Sequence, residues 1–353
     1  MADPIFIRKP KVSIMAKILQ FYQQRLPKRM RLLLLVAAIF LAWQLVMYWS
    51  RLDPFPGRRD TGLTEPNQTL WKEILALRPE KLNYSFPTVS PRTALLILVP
   101  LTATDEHRRQ EIRDSWAHRN FSKAVQSGLV TVLFIVGQNR YHDHLLTEEN
   151  KNYRDILVTD GGLTDSYKGL VYKLLVTYRW VHHNYPQVEV AKADCDVVLD
   201  VDRLFRAVNK EVHRKKFIMG FLWKKVEPHR DPFDPWYIPL SIYPFDHLPI
   251  YANGPIYIFS SSALTSVLGA ASTQPVFEVE DAFFTGVLAE NAKVDLVQLD
   301  GIFHKNPLRQ RCEDDGPTLV AYPVHKTVLG IRIEYQKMKT IPCKWWIENL
   351  LGL

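Results

Sequence analysis

The chain has 353 residues, 47% hydrophobic and 23% charged, which suits a globular body with a sizeable core and excludes a disordered chain. Three cysteines with no C-x-x-C pair exclude a disulfide-dense scaffold and give no sign of a structural zinc site. The net charge of +8 is concentrated at one end: residues 1–31 carry eight Lys/Arg and one Asp, while the rest carries 37 basic against 36 acidic residues, which excludes a nucleic-acid-binding body.

Residues 32–49 hold no charge and a single amide, Gln44. As a helix this run would span about 27 Å, close to the ~30 Å hydrocarbon thickness of a bilayer. Trp43, Tyr48 and Trp49 fall at its far end, where aromatic rings favour the interface. A core helix would be amphipathic, and a cleaved leader would end on small residues, so the run predicts an uncleaved transmembrane signal-anchor. The positive flank places 1–31 in the cytosol and the remainder across the membrane, a single-pass type II topology. A span this short favours a thin early secretory membrane, and the expected location is the Golgi membrane.

Residues 50–92 read as a luminal stem, interrupted by prolines and helical only near 70–78. Three glycosylation sequons begin at Asn67, Asn83 and Asn120, all on the side predicted to be luminal. A domain is expected over 93–353. Within it, 94–99 reads as a buried strand ended by Pro100, and 105–118 as an amphipathic helix carrying Ile112 and Trp116. Residues 129–136 make a second strand stopped by Gly137. A helix over 141–153, a strand over 155–159, a helix over 167–183 and a strand near 188–191 follow. This alternation predicts an α/β fold whose mostly parallel sheet is covered on both faces. Ligands in such sheets bind beyond the C-terminal strand ends, where Asp194-Cys195-Asp196 falls. Two carboxylates spaced by one residue fit a hard cation or nucleotide hydroxyls, and equally a solvated acidic turn.

Several segments in a fixed order resemble the luminal β-1,3-galactosyltransferases and β-1,3-N-acetylglucosaminyltransferases. They are Arg108-Arg-Gln-Glu-Ile-Arg113-Asp-Ser-Trp116, Phe134-Ile-Val-Gly137, Asp155-Ile-Leu, and Asp165-Ser-Tyr167 with Leu170, Lys173 and Trp180. Lys192-Ala-Asp194-Cys-Asp196-Val, Pro228-His-Arg-Asp231, Trp236-Tyr237-Ile-Pro, Tyr251 with Gly254, Glu280-Asp281 with Gly286, and Val324-His325 follow. The resemblance runs from about residue 94 to 326. It implies a Rossmann-like nucleotide-sugar (GT-A) fold and inverting transfer of galactose or N-acetylglucosamine from a UDP-sugar to a glycan on a glycoprotein or glycolipid.

Residue roles follow from that resemblance. Asp281 is the expected general base, with Glu280 able to exchange with it, since inversion needs a base opposite the leaving group. A carboxylate pair is also favoured at a helix N-terminus without any catalytic role. Asp194, Asp196 and His325 would hold Mn²⁺ or Mg²⁺, with His304 competing for the histidine place and Asp194 alternatively contacting ribose. Arg109 and Arg113, four apart on one helix, are expected to face the nucleotide together with Asp165, Lys173 and Lys192. Trp236, Tyr237, Tyr251, Asn253 and Gly254 are the expected acceptor contacts. An oxidising lumen makes Cys312–Cys343 the expected bridge and Cys195 the odd thiol.

Three departures stand out: Cys195 replaces a middle Asp, Gly169 replaces an Asn, and Pro255-Ile256 replaces glycines in the acceptor loop. They motivate an alternative, a catalytically impaired luminal chaperone or binding protein. A metal-dependent hydrolase is a third reading, disfavoured by the ordered segments.

Overall fold

The computed structural model describes residues 66–78, 87–138, 142–159, 165–211, 213–303, 305, 307–313, 316–324 and 330–343. The predicted tail and anchor lie outside them. Among the described residues no helix is long and apolar enough to cross a membrane.

Residues before 93 also belong to the folded body. Helix α1 (Gln68–Ala76), capped by the Asn67 side chain, lies in the segment expected to be a stem, yet it packs into the core. Trp71 is 2% exposed. Its indole nitrogen donates to Ala271 O at 2.9 Å, and its ring meets Phe283 edge-on at 5.3 Å. Trp71 and Ile74, three apart, give this short helix an apolar stripe, and that stripe outweighs the proline-rich surroundings.

The main sheet has seven strands in the order β3-β2-β1-β4-β7-β6-β8. These are β1 (Leu95–Leu101), β2 (Val130–Gly137), β3 (Ile156–Thr159), β4 (Glu189–Ala193), β6 (Phe217–Trp223), β7 (Tyr251–Phe259) and β8 (Asp295–Gln298). A further strand, β5 (Val197–Leu199), pairs antiparallel with a short late strand, Ala321–Pro323. Pairing in the main sheet is parallel except on either side of β7, which runs antiparallel to both β4 and β6. Pro100 does not end β1 as expected. Pairing of β1 with β4 stops at Leu98, so the missing proline donor falls where only β2 still pairs.

Strand residues alternate between two cores. Leu96, Leu98, Tyr257 and Phe259 pack on one face with α1, α5 (Leu170–Asn184) and α7 (Ser261–Ala270). Leu95, Ile97, Ile256 and Ile258 pack on the other with α2 (Glu106–Arg113), α6 (Val201–Lys210) and α9 (Ile331–Thr340). The intervening helices are α3 (Lys123–Gln126), α4 (Asp143–Tyr153) and α8 (Leu288–Asn291). Helix α2 is shorter than the expected 105–118. Past Arg113 the chain turns so that the Trp116 indole, fully buried, donates to Val197 O at 3.1 Å. Cys312 and Cys343 form the expected disulfide, with Cα atoms 5.7 Å apart, and Cys195 is free.

Candidate active site

The C-terminal ends of β1 and β4 meet the start of β7 around a cleft of about 900 Å³. Thr102 and Asp105 line it beyond β1, and Asp194, Cys195 and Asp196 line it beyond β4. Tyr251, Asn253, Gly254 and Pro255 enter from β7, Trp223 and Trp236 from one rim, and Glu280 and Asp281 from the start of a later helix that continues through Ala282–Val287. Antiparallel β7 brings its N-terminal end beside the C-terminal end of β4, and this places the acidic pair opposite Asp194.

Lys192 is the hub of the cleft floor. It is 1% exposed. Its Nζ lies 2.7 Å from Asp194 Oδ1, 2.8 Å from Glu280 Oε1 and 2.7 Å from Gly254 O. Burial opposes its charge, but Asp194 and Glu280 outweigh that and hold its pKa well above the ordinary lysine value. Glu280 is also bonded by the Tyr257 hydroxyl at 2.6 Å, which in turn meets the Tyr178 hydroxyl at 2.9 Å. Burial raises the Glu280 pKa, with Lys192 working against it.

The two members of the pair therefore separate. Both Glu280 oxygens are engaged inward, and the residue is buried. Asp281 is half-buried at the cleft wall, where Oδ2 accepts from Gly254 N and Oδ1 from Ala282 N, each at 2.8 Å. Burial, then repulsion from Glu280, pushes its pKa up to about 7. A carboxyl poised near neutrality can take a proton from a sugar hydroxyl and hold it. Glu280, pinned by Lys192 and Tyr257, is a poor candidate for exchange with Asp281.

Across the cleft, Asp194 and Asp196 present hard carboxylate oxygens, and Cys195 lies between them. Burial, then Asp196 and Asp194, raises the thiol pKa to about 12, so sulfur stays protonated at neutral pH. Among the described residues no group of three His, Cys, Asp or Glu is placed to hold a metal ion. His325 and His304 lie outside those residues. Two carboxylates completed by water and phosphate oxygens nevertheless form a donor set that a small hard divalent cation accepts. Lys173 donates to Asp165 at 2.7 Å and to Leu101 O at 2.9 Å, and Asp165 also accepts from Gly137 N. Both Lys173 and Asp165 line the cleft and tie the ends of β1 and β2 to α5.

Arg109 and Arg113 do not face the cleft. Arg109 is 1% exposed and forks onto Glu149, while its Nη1 and Nη2 donate to Thr102 O and Ala103 O. Arg113 pairs with Glu149 and bidentately with Asp155, and lies over the Tyr153 ring at 3.9 Å. The helical spacing did put both on one face, but that face meets acids some forty residues on, and a phosphate would have to displace them. Arg109 instead braces the loop after β1 from behind.

Tyr237 is not among the cleft-lining residues; it bridges to His229, whose ring meets Trp236. Ile256 does not obstruct the acceptor loop, because strand alternation sends it into the core behind β4, where it is 1% exposed. Asn67 and Asn120 are exposed, with the Asn67 side chain capping α1; Asn83 lies outside the described residues. The sequence reading missed Thr102, Asp105 and Trp223. The first two follow directly on the apolar strand β1, at the kind of strand end where ligands bind in such sheets, a signal available in the sequence.

The chain matches the galactosyltransferase family over residues 107–300. Human beta-1,3-galactosyltransferase 5 is 28% identical over 208 residues, covering 58% of this chain and 65% of that protein. Mouse beta-1,3-galactosyltransferase 2 is 26% identical over 242 residues, covering 67% of this chain and 55% of that protein. The chain thus spans between about half and two thirds of these relatives. Among solved structures, S. aureus TarS 1–349 in complex with UDP-GlcNAc aligns with a TM-score of 0.37 and 15% identity over 68% of this chain and 60% of that one.

Proposed function

The chain belongs to the galactosyltransferase family, and from that premise we propose that it transfers galactose or N-acetylglucosamine from a UDP-sugar to a glycan hydroxyl, with inversion and a β-1,3 linkage. The observation that carries this reading is Asp281. It is a carboxyl at the cleft wall, oriented by Gly254 and Ala282, with a pKa of about 7, facing the Asp194-Cys195-Asp196 turn. The acceptor enters over Trp236, Tyr251 and Asn253. Asp281 takes the proton from the attacking hydroxyl as that oxygen bonds to the anomeric carbon and the UDP oxygen leaves.

Asp196, with Asp194, would hold a divalent cation such as Mn²⁺, which neutralises charge on the leaving diphosphate when bound. Asp196 is the proposed direct ligand, and Asp194, paired with Lys192 at 2.7 Å, the second carboxylate of the set. Lys192 keeps Asp194, the acceptor loop and the acidic pair in register. A Golgi location with residues 32–49 as signal-anchor fits this reading. A chaperone role is not favoured: of the two loop replacements Ile256 turns into the core, and Pro255 lines the cleft while Gly254 still bonds Asp281.

The test is release of UDP from UDP-galactose and from UDP-N-acetylglucosamine by the full chain in detergent, with Mn²⁺ and an array of glycan acceptors. Acceptor-dependent release from one donor is expected. Nucleotide binding without turnover on any acceptor would support the binding-protein reading.

A further inference from the structure

Both oxygens of Asp281 are held by backbone N–H groups, one from its own helix and one from β7. The direction of this carboxylate therefore depends on how closely the helix is held to the strand. Pairing of β4 with β7 ends at Ala193 opposite Ile256, so the Tyr251–Gly254 stretch of β7 has no β4 neighbour. Backbone groups there need another partner.

Thr285 supplies it. Its side chain is fully buried. Ala252 N donates to Thr285 Oγ1 at 2.9 Å. The single hydroxyl proton is directed to Asp281 O at 2.6 Å, with Ala252 O the alternative acceptor at 3.2 Å. One hydroxyl thus spans the strand that carries Gly254 and the residue that carries the carboxylate. Thr285 lies in the π-helix that follows Asp281, Ala282–Val287, a widened form that concentrates at functional sites. Gly286 lets it lie close to the strand: a Cβ there would come within 3.0 Å of Tyr251 Cβ.

We infer that Thr285 is a positioning residue for the acceptor-side base, its hydroxyl fixing the Asp281 carboxylate against Gly254 and towards the incoming sugar hydroxyl. This rests on Asp281 being the base. The assignment differs from a packing role because the hydroxyl, and not the volume, carries it. Valine keeps the shape but cannot bridge Ala252 to Asp281, and serine keeps the bridge but loses a methyl.

The experiment compares Thr285→Val, Thr285→Ser and Asp281→Asn in the full chain, reading UDP release from UDP-galactose with an aryl N-acetyl-β-glucosaminide as probe acceptor. Thr285→Val is expected to lower kcat by ~10-fold or more with KM for UDP-galactose within about two-fold, since misaimed groups cost rate before binding. It should also move the acidic limb of the pH–rate profile. Thr285→Ser should return kcat to within about three-fold of the parent. Thr285→Cys, with its weaker hydrogen bond, should fall between the two and serves if the valine variant does not fold. A valine or cysteine variant with parental kcat and pH profile, and only a lower melting temperature, would reduce Thr285 to a structural clamp and overturn the inference. A serine variant as impaired as valine would also overturn it. Full turnover by Asp281→Asn, or no release by the parent from either UDP-galactose or UDP-N-acetylglucosamine, would instead sink the base reading beneath it.

Discussion

Two buried charge clusters lie within one domain and come to opposite ends. Behind α2, Arg109 and Arg113 meet Glu149 and Asp155: two cations, two carboxylates, forked geometry and little solvent. Burial works against the charges of Arg113 and Glu149, but their partners prevail, lifting the arginine pKa and lowering the glutamate pKa. On the cleft floor Lys192 is, among the described residues, the cation paired with both Asp194 and Glu280, with Asp281 beside them. Burial raises the pKa of Glu280 and of Asp281, and one cation among three carboxylates does not offset it, with repulsion from Glu280 adding to the shift at Asp281. The balanced cluster is built to stay closed. The unbalanced one keeps a group ready to bind or release a proton near neutrality.

The sharpest way to break this contrast is at Asp281. Asp281→Asn keeps the size and the bond from Gly254 but cannot take up a proton, and loss of a general base costs ~10²–10⁴ in rate. Turnover should collapse while UDP affinity, measured calorimetrically with Mn²⁺, stays within a few-fold. Retained turnover would leave the surplus charge without a catalytic use.

The complementary change at the balanced cluster should do the reverse. Arg109→Met leaves Glu149 with one cation fewer, and removing one partner of a buried pair costs about 3–5 kcal/mol. Chemical denaturation should show that loss, while kcat of the remaining folded enzyme, read well below its melting temperature, changes little. A large fall in UDP affinity with unchanged stability would return Arg109 to the nucleotide. Paired Cys312→Ser and Cys343→Ser changes open a loop with a sequence separation of 31. They should cost about 3–4 kcal/mol by loop entropy, read as a lower melting temperature that reducing agent reproduces in the parent. Cys195→Ser is expected to be the mildest: a neutral thiol exchanged for a hydroxyl should alter kcat/KM by less than about three-fold.

The contrast also explains what the sequence could and could not disclose. The half of the sheet built from β1 to β4 was legible, most clearly β1 and β2, which are apolar runs, whereas β6, β7 and β8 and the antiparallel setting of β7 were not read. Asp194, Asp196 and Asp281 were singled out by their place at strand or helix ends and by the order of the surrounding segments. The arginines were misread because helical spacing reveals a shared face but not what that face meets; Glu149 and Asp155 arrive from a different helix and strand. Helix α1 was assigned to a stem because prolines surround it, while its partners Ala271 and Phe283 lie some two hundred residues away. Ile256 looked obstructive in a linear loop, and only its place in β7 shows it turning away from the cleft. The division of labour between Glu280 and Asp281 could not be read from adjacency; it needed Tyr257 and Lys192 underneath.

The most direct measurement is the pH dependence of kcat/KM for the parent and for Glu280→Gln. Asp281 must be deprotonated to act, so activity should rise with pH through an apparent pKa near 7 in the parent. Removing the Glu280 charge relieves the repulsion and leaves Lys192 facing fewer carboxylates, so the limb should move to lower pH. A parent profile flat from pH 5 to 8, or a limb that stays put or rises in Glu280→Gln, would contradict the claim that burial and the Glu280 charge together hold the base near neutrality.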